Sequence, residues 1–212
     1  MRVGIIGSGR IGATVARLLV AAGHEVAIAN SRGPESLADL VAELGDRAHA
    51  TSVEEAAAFG DVVLVAIPLH AYRGLPAAAF AGKVVIDANN YYAGRDGPIA
   101  ELDDGSTTSS ELLAAHLPGA QVVKAFNTMH FETLANEGRL DVPREQRLAI
   151  PVAGDQADAK QRVTELIEQI GFAAVDTGSL AGGGRLQQPG APFFNRPLRL
   201  PEAEQELAAL LA

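Results

Sequence analysis

The chain contains no cysteine, which removes disulfides, thiolate metal sites and a cysteine nucleophile from consideration. Lysine is scarce, with Lys83, Lys124 and Lys160 the whole set. At a formal net charge of −9, the clustered cations of a nucleic-acid footprint are missing, and no nucleic-acid partner is expected. No apolar run approaches the roughly 18 residues of a membrane span. The apolar start is broken at once by Gly7-Ser8-Gly9-Arg10, with Arg17 inside the next helical stretch, so it does not read as a signal peptide. These absences lead to the expectation of a cytoplasmic protein without a membrane partner. Also missing are a Gly-x-Ser-x-Gly elbow and a P-loop, which leaves hydrolase and NTPase chemistry without support. His130 and Glu132 have no third ligand beside them, and two do not define a metal site.

What is present is an ordinary globular composition, 48% hydrophobic and 20% charged over 212 residues. That is enough for one large domain with a short appendage. The organising stretch is Met1 to Arg32. An apolar strand, Val3 to Ile6, runs into Gly7-Ser8-Gly9-Arg10-Ile11-Gly12, and a helical stretch from Arg10 to about Ala22 follows. A second strand spans Glu25 to Ala29 and ends in Asn30-Ser31-Arg32. A bare G-x-G-x-x-G is a weak signal, but strand before, helix after and second strand supply its context. Gly7 permits the tight turn, Gly9 lets the backbone approach a pyrophosphate, and Gly12 lets the helix pack on the sheet. The free N–H groups and positive dipole end of the helix then face the phosphates.

Strand and helix alternate through the rest of the chain. The spacing predicts a helix over 36–44, a weak strand at 48–50 and capping boxes at Ser52/Glu55 and Thr108/Glu111. Strands are expected over Val62 to Ile67, Val84 to Asp87, Val122 to Ala125, Leu148 to Val152 and Ala173 to Asp176. A loose helical segment is expected over 70–80, a long loop over 91–105 and an amphipathic helix over 156–170. This pattern predicts an α/β class: a doubly wound, mostly parallel sheet. After Asp176 the character changes, with a flexible Gly182-Gly183-Gly184, several prolines and a final helix from Glu202 to Leu211. Residues 1–180 therefore form the dinucleotide-binding domain. Residues 181–212 form a C-terminal extension too small to be an independent domain.

A fold that selects NAD usually ends strand two in a carboxylate, to accept from the ribose 2′-OH. Here Asn30-Ser31-Arg32 stands instead, and a hydroxyl and a guanidinium both donate to a 2′-phosphate. The residues predict NADP(H). In open α/β sheets the ligand lies beyond the carboxyl ends of the strands. Those ends carry Ile67 and Pro68, Asn89 and Asn90, and Asn127, Thr128 and Met129. Ile67 and Pro68 would flank the cofactor, and the amides would bond its ribose or carboxamide. His70 and His130 are the titrating groups nearest the mouth; with Asn127 they are weak catalytic candidates, and no acid/base residue is assigned. Lys124, inside a strand, reads as structural.

Taken together, Gly7 to Gly12, Asn30-Ser31-Arg32, Ile67-Pro68, Val123 to Thr128, Pro151 to Asp155 and Asp176 to Leu180 resemble the deazaflavin (coenzyme F-420)-dependent NADP reductase family. They also resemble the oxidoreductase domain of the membrane ferric reductases that share its fold. The likeness extends to about Arg185. It implies a Rossmann domain holding NADP(H), a flat redox partner ring (F-420 or a flavin) against the nicotinamide, and direct hydride transfer. By the same resemblance Ser8, Gly9, Arg10, Ile11, Ser31 and Arg32 bind the adenosine and phosphate end. Ile67, Asn89 and Ala125 lie along the nicotinamide half. The Asn127 region, with Thr128 and Met129, and the Gly182 to Arg185 segment face the second substrate. The chain departs from the family at Ser36, where a lysine is usual, and at Asn127, where some members have a histidine.

The leading expectation is thus an NADP-dependent oxidoreductase with a small-molecule redox partner. Two alternatives stand beside it. One is an NADPH-dependent reductase of another substrate (an imine, a carbonyl, or a ferric chelate through flavin), although imine-type relatives add a helical domain for which this chain is short. The other is a non-catalytic NADP(H) sensor. Phe193-Phe194 in the tail motivates the expectation of a homodimer with exchanged or interlocked tails.

Overall fold

The computed structural model describes residues 1–212. Its centre follows from runs such as Val62–Val65, apolar at every position and buried at every position, which are stable only in a strand covered on both faces. The strands are β1 (Arg2–Ile6), β2 (Glu25–Ala29), β3 (Ala48–Ala50), β4 (Val62–Val65), β5 (Val84–Asp87), β6 (Gln121–Lys124), β7 (Ala149–Gly154) and β8 (Ala173–Gly178). They form one sheet in the order β3-β2-β1-β4-β5-β6-β7-β8. Every pair is parallel except β6 with β7. The first six strands take the Rossmann order 3-2-1-4-5-6, and the antiparallel β7 carries the sheet on to β8.

The connections hold α1 (Arg10–Ala21), α2 (Ala38–Leu44), α3 (Val53–Phe59), α4 (Ala93–Asp96), α5 (Ala100–Asp103), α6 (Ser109–His116), α7 (Phe131–Asn136), α8 (Ala157–Gln169), α9 (Gly182–Arg185) and α10 (Leu200–Leu211). Alternate side chains of a strand point to opposite faces, and the two faces build two cores. Val62 and Leu64 of β4 join Val15 and Leu19 of α1 and Val163 and Leu166 of α8. Val63 and Val65 join Ala56 and Ala57 of α3 and Leu113 of α6. Both capping boxes form, Ser52 with Glu55 and Thr108 with Glu111.

Several boundaries differ from the sequence pattern for identifiable reasons. The strand expected to reach Ile67 stops at Val65, because Ile67 N–H donates to the Asn89 side chain at 2.8 Å rather than to a neighbouring strand. The helix expected over 70–80 is two 3₁₀ segments, Leu69–Gly74 and Ala77–Phe80, separated by Pro76, which has no N–H to continue a helix. The long loop after β5 contains two one-turn helices, α4 and α5. The three glycines expected to be flexible begin α9 instead, and Gly183 and Gly184 are buried. A Cβ on Gly183 would lie 2.4 Å from the Thr177 carbonyl oxygen, so only glycine lets this turn sit on β8. α7 is a further element, in the connection after β6 where the sequence pattern shows no helix.

The tail folds back on the sheet of its own chain. Phe193, Leu200 and Ala203 pack against Ala149, Ala173 and Val175 of β7 and β8, and Ala149 N–H donates to Leu198 O at 2.8 Å.

One buried group outside the site sets a pH dependence. His24, in the turn after α1, is buried with neither ring nitrogen hydrogen-bonded. Burial, and secondarily the N-terminal ammonium, push its pKa below the ordinary value, and the nearby Gln169 side chain opposes them without reaching hydrogen-bonding geometry. The unfolded chain then binds more protons at this position, so stability present above about pH 6.5 is lost as the pH falls toward the depressed native value. Urea melts at pH 7.5 and 5.5 are expected to show a smaller loss of stability for His24→Leu than for the parent; equal losses would refute the assignment.

Candidate functional site

The site begins at the turn from β1 into α1. Gly7 has φ of +108°, a conformation that L side chains rarely adopt, and a Cβ there would lie 2.1 Å from Ala66 O. A Cβ on Gly12 would lie 1.8 Å from Gly7 O, so α1 approaches the loop as closely as backbone allows. Gly9 differs, because a Cβ there meets no protein atom within 4 Å; its free face is the cleft. No side chain caps the N-terminus of α1, and its first turn carries no acid. Its unpaired N–H groups, with Ser8, Arg10 and Ile11 around them, form a cradle that suits an anion. Arg10 is held at the rim, its guanidinium carbon 4.8 Å from the centroid of the Phe131 ring.

From this cradle a cleft of about 500 Å³ runs toward the end of β2. Asn30 ties its floor together. The Asn30 amide donates to Ser8 Oγ at 3.0 Å and Ser36 Oγ at 2.9 Å, and its Oδ1 accepts from Arg32 N–H at 2.8 Å. Ser31 and Arg32 line the cleft and are exposed. The Arg32 guanidinium makes no hydrogen bond or ion pair within the chain, which leaves it free for a ligand. Ser36 donates to Gly33 O at 2.8 Å.

In the other direction a second cleft of about 230 Å³ shares Gly9, Ala66, Ile67 and Pro68 with the first. Asn89 and Asn90 lie at its end. Asn89 is 1% exposed. Its Oδ1 accepts from Ile67 N–H, while its Nδ2 is buried without a partner. The neighbouring Asn127 donates to Asn90 Oδ1 at 3.0 Å and to Gln187 O at 2.7 Å, and its Oδ1 is likewise unpartnered. An unsatisfied buried donor and acceptor each cost about 1–3 kcal/mol, which a ligand with matching groups would recover. Ala125 is fully buried. Phe126 follows it at φ of +66°, an unusual backbone for a bulky residue; this turn brings Asn127 against Asn90.

The remaining candidates lie apart from these two clefts. His70 turns away, its Nδ1 3.0 Å from Asp96 Oδ1. Burial pushes the Asp96 carboxyl up, but hydrogen bonds from Arg95, the Tyr92 N–H and His70 outweigh it and hold the group well below the usual carboxylate range. His130 stands beside Glu132 at 3.6 Å. With Thr128 and Met129 it lines a separate cavity of about 230 Å³ closed by Phe193 and Asn195 of the tail. Arg185 donates to Gly105 O. No group of three or more His, Cys, Asp or Glu gathers as a metal site, and no helix is long and apolar enough to cross a membrane.

Sequence reasoning missed Tyr92 and Arg95, which line the inner cleft; the length of their loop was the available signal. It also missed the setting of Lys124. This side chain is fully buried, its Nζ 3.6 Å from Asp87 Oδ2, and it donates to Asn89 O at 3.1 Å and Ser109 Oγ at 3.3 Å. Burial lowers its pKa and Asp87 opposes that shift.

Comparison with known proteins agrees with this geometry. Residues 2–91 match the family described as NADP oxidoreductase, coenzyme F420-dependent. A crystal structure of a hypothetical protein, SMa0349, from Sinorhizobium meliloti is 33% identical with a TM-score of 0.81, covering 94% of this chain and 95% of that one. A structure from Arthrobacter sp. FB24, provisionally named an F420-dependent NADP-reductase, is 25% identical with a TM-score of 0.75, covering 93% and 99% of the two chains. Metalloreductase STEAP3 of Rattus norvegicus is 32% identical over 188 residues, or 88% of this chain. The chain spans 36% of the length of the metalloreductases that it matches.

Proposed function

Residues 2–91 belong to the family described as NADP oxidoreductase, coenzyme F420-dependent, and on that premise we propose that the chain transfers a hydride between NADP(H) and a deazaflavin or flavin-type ring. The observation that carries this reading is the trough made by two adjoining clefts, which share Gly9, Ala66, Ile67 and Pro68 and lead from the free Arg32 guanidinium, past the uncapped start of α1, to the residue with the unpartnered amide, Asn89. Its two ends offer what a phosphorylated adenosine and a nicotinamide riboside require.

In this reading the α1 N-terminus and Gly9 hold the pyrophosphate, Ser31 and Arg32 the 2′-phosphate, and Ile67, Pro68 and Asn89 the nicotinamide half. When bound, NADPH supplies the hydride. The residues of the chain orient the ring and exclude water, which suits a reaction that depends on near-attack positioning more than on an acid or base. The acceptor would enter at the mouth of the inner cleft, beside Asn90, Tyr92 and Arg95, rather than at Thr128 and Met129, which line a separate cavity. A flavin in place of the deazaflavin is the second reading, and the likeness to a metalloreductase adds a ferric chelate to the acceptors that the test includes.

The test is to mix the protein with NADPH and, in separate reactions, F-420, FMN, riboflavin and a ferric chelate, and to follow NADPH absorbance. Turnover with F-420 alone supports the first reading, and turnover with FMN or riboflavin the second. Binding of NADPH with no turnover of any acceptor overturns both in favour of a sensor.

A further inference from the structure

Asn89 is fixed at every hydrogen-bonding group but one. Its N–H donates to Asp87 Oδ1 at 3.0 Å, its carbonyl accepts from Lys124 Nζ at 3.1 Å, and its Oδ1 accepts from Ile67 N–H at 2.8 Å. Only Nδ2 is left, buried and unpartnered, at a residue that lines the inner cleft. The two groups that hold its backbone are themselves an ion pair with both side chains fully buried. Asp87 is further fixed by Ser110 Oγ at 2.6 Å, and Lys124 by Ser109 Oγ at 3.3 Å, so the start of α6 braces the pair from behind. Burying two charges inside a sheet is costly, and apolar residues of similar volume often serve stability as well or better. The pair has a local task that apolar residues could not perform: it offers an acceptor to the N–H and a donor to the C=O of the same residue.

We propose that Asp87 and Lys124 are positioning residues that clamp the Asn89 backbone, so that Asn89 Nδ2 is held ready to donate to an acceptor oxygen on the nicotinamide half of NADP(H). The inference rests on the NADP(H) reading of the cleft but not on turnover. Lys124 touches no substrate in this account and acts only through Asn89. The expected signature is therefore a loss confined to the nicotinamide half of the ligand, shared by Lys124 and Asn89 and not compounded when both are changed.

The experiment measures dissociation constants for NADPH and for adenosine 2′,5′-bisphosphate, a fragment that lacks the nicotinamide half, by isothermal titration. The variants are Asn89→Ala, Lys124→Met and the pair Asp87→Asn/Lys124→Met. The paired variant leaves no unpaired buried charge, so it keeps the test open if Lys124→Met fails to fold. Asn89→Ala and the paired variant are each expected to weaken NADPH about tenfold while leaving the fragment within about twofold, the size of one lost hydrogen bond. Combining Asn89→Ala with the pair is expected to weaken NADPH no further. Equal losses for NADPH and fragment, unchanged NADPH affinity, or losses that multiply in the combined variant would each overturn the proposal. A parent protein that binds NADPH yet reduces no acceptor defeats the hydride-transfer reading and leaves this inference standing, whereas a parent with no affinity for NADPH defeats both.

Discussion

Gly12→Ala is expected to weaken NADPH binding by about a hundredfold and to lower the melting temperature. The added Cβ would lie 1.8 Å from Gly7 O, and backbone cannot yield as a flexible side chain would. Either α1 lifts from the sheet or the Gly7 turn is pushed into the cleft. Overpacking of this kind costs about 1–3 kcal/mol, and a displaced phosphate cradle loses aligned N–H donors as well; about 2.8 kcal/mol is a factor of a hundred. Gly9→Ala is the informative contrast. A Cβ there meets no protein atom within 4 Å, so the melting temperature is expected to stay unchanged while NADPH affinity falls, because the methyl occupies space meant for the pyrophosphate. Thermal melts and fluorescence titrations of both variants check the pair. Unchanged NADPH affinity in Gly9→Ala would mean that the open face of Gly9 is not the phosphate site.

Arg32→Ala is expected to weaken NADPH about tenfold to a hundredfold while leaving NADH nearly unchanged. Hydrogen bonds to a charged group contribute about 1.5–3 kcal/mol, and each 1.4 kcal/mol is a factor of ten. The Arg32 guanidinium needs no rearrangement to act, because it has no partner within the chain and its backbone N–H is already held by Asn30 Oδ1. Ser36 does not replace a second cation there, since its hydroxyl is turned to Gly33 O. The phosphate end therefore depends on Arg32 more than it would with a lysine at that position. The ratio of NADPH to NADH dissociation constants in the variant is the measurement, and equal losses for both cofactors would remove Arg32 from the 2′-phosphate.

The trough is legible in the sequence over its phosphate half, from Arg32 to the glycine turn, and not in what holds its nicotinamide end. The glycine spacing and Asn30-Ser31-Arg32 are local signals, because the turn, the helix start and the strand end that they need are all encoded within thirty-two residues. Val62–Val65 and Val84–Asp87 were equally plain, since an unbroken buried run has few other destinations. The Asn89 clamp was not legible. Asp87 and Asn89 are two residues apart, but Lys124 comes from the next strand and Ser109 and Ser110 from the helix between them, so only pairing of β5 with β6 brings the group together. A lysine inside a strand signals something unusual without saying what it holds. The turn at Gly182–Arg185 differs for a related reason: three glycines read as freedom when the chain is considered alone, whereas contact with Thr177 makes the middle one, Gly183, a requirement of close packing.

The central claim is that a hydride passes directly from NADPH to a ring held beside it. The most direct measurement uses NADPH deuterated at C4 of the nicotinamide, separately on each face. It is mixed anaerobically with the protein and F-420 or FMN, with mass analysis of the oxidised cofactor and, for F-420, of the reduced ring. The label is expected to leave from one face only. For F-420 the label is expected to arrive on the ring carbon without dilution by solvent protons. Loss of label from both faces, a reduced deazaflavin carrying solvent hydrogen in its place, or no reduction of either ring by protein that binds NADPH would contradict direct transfer.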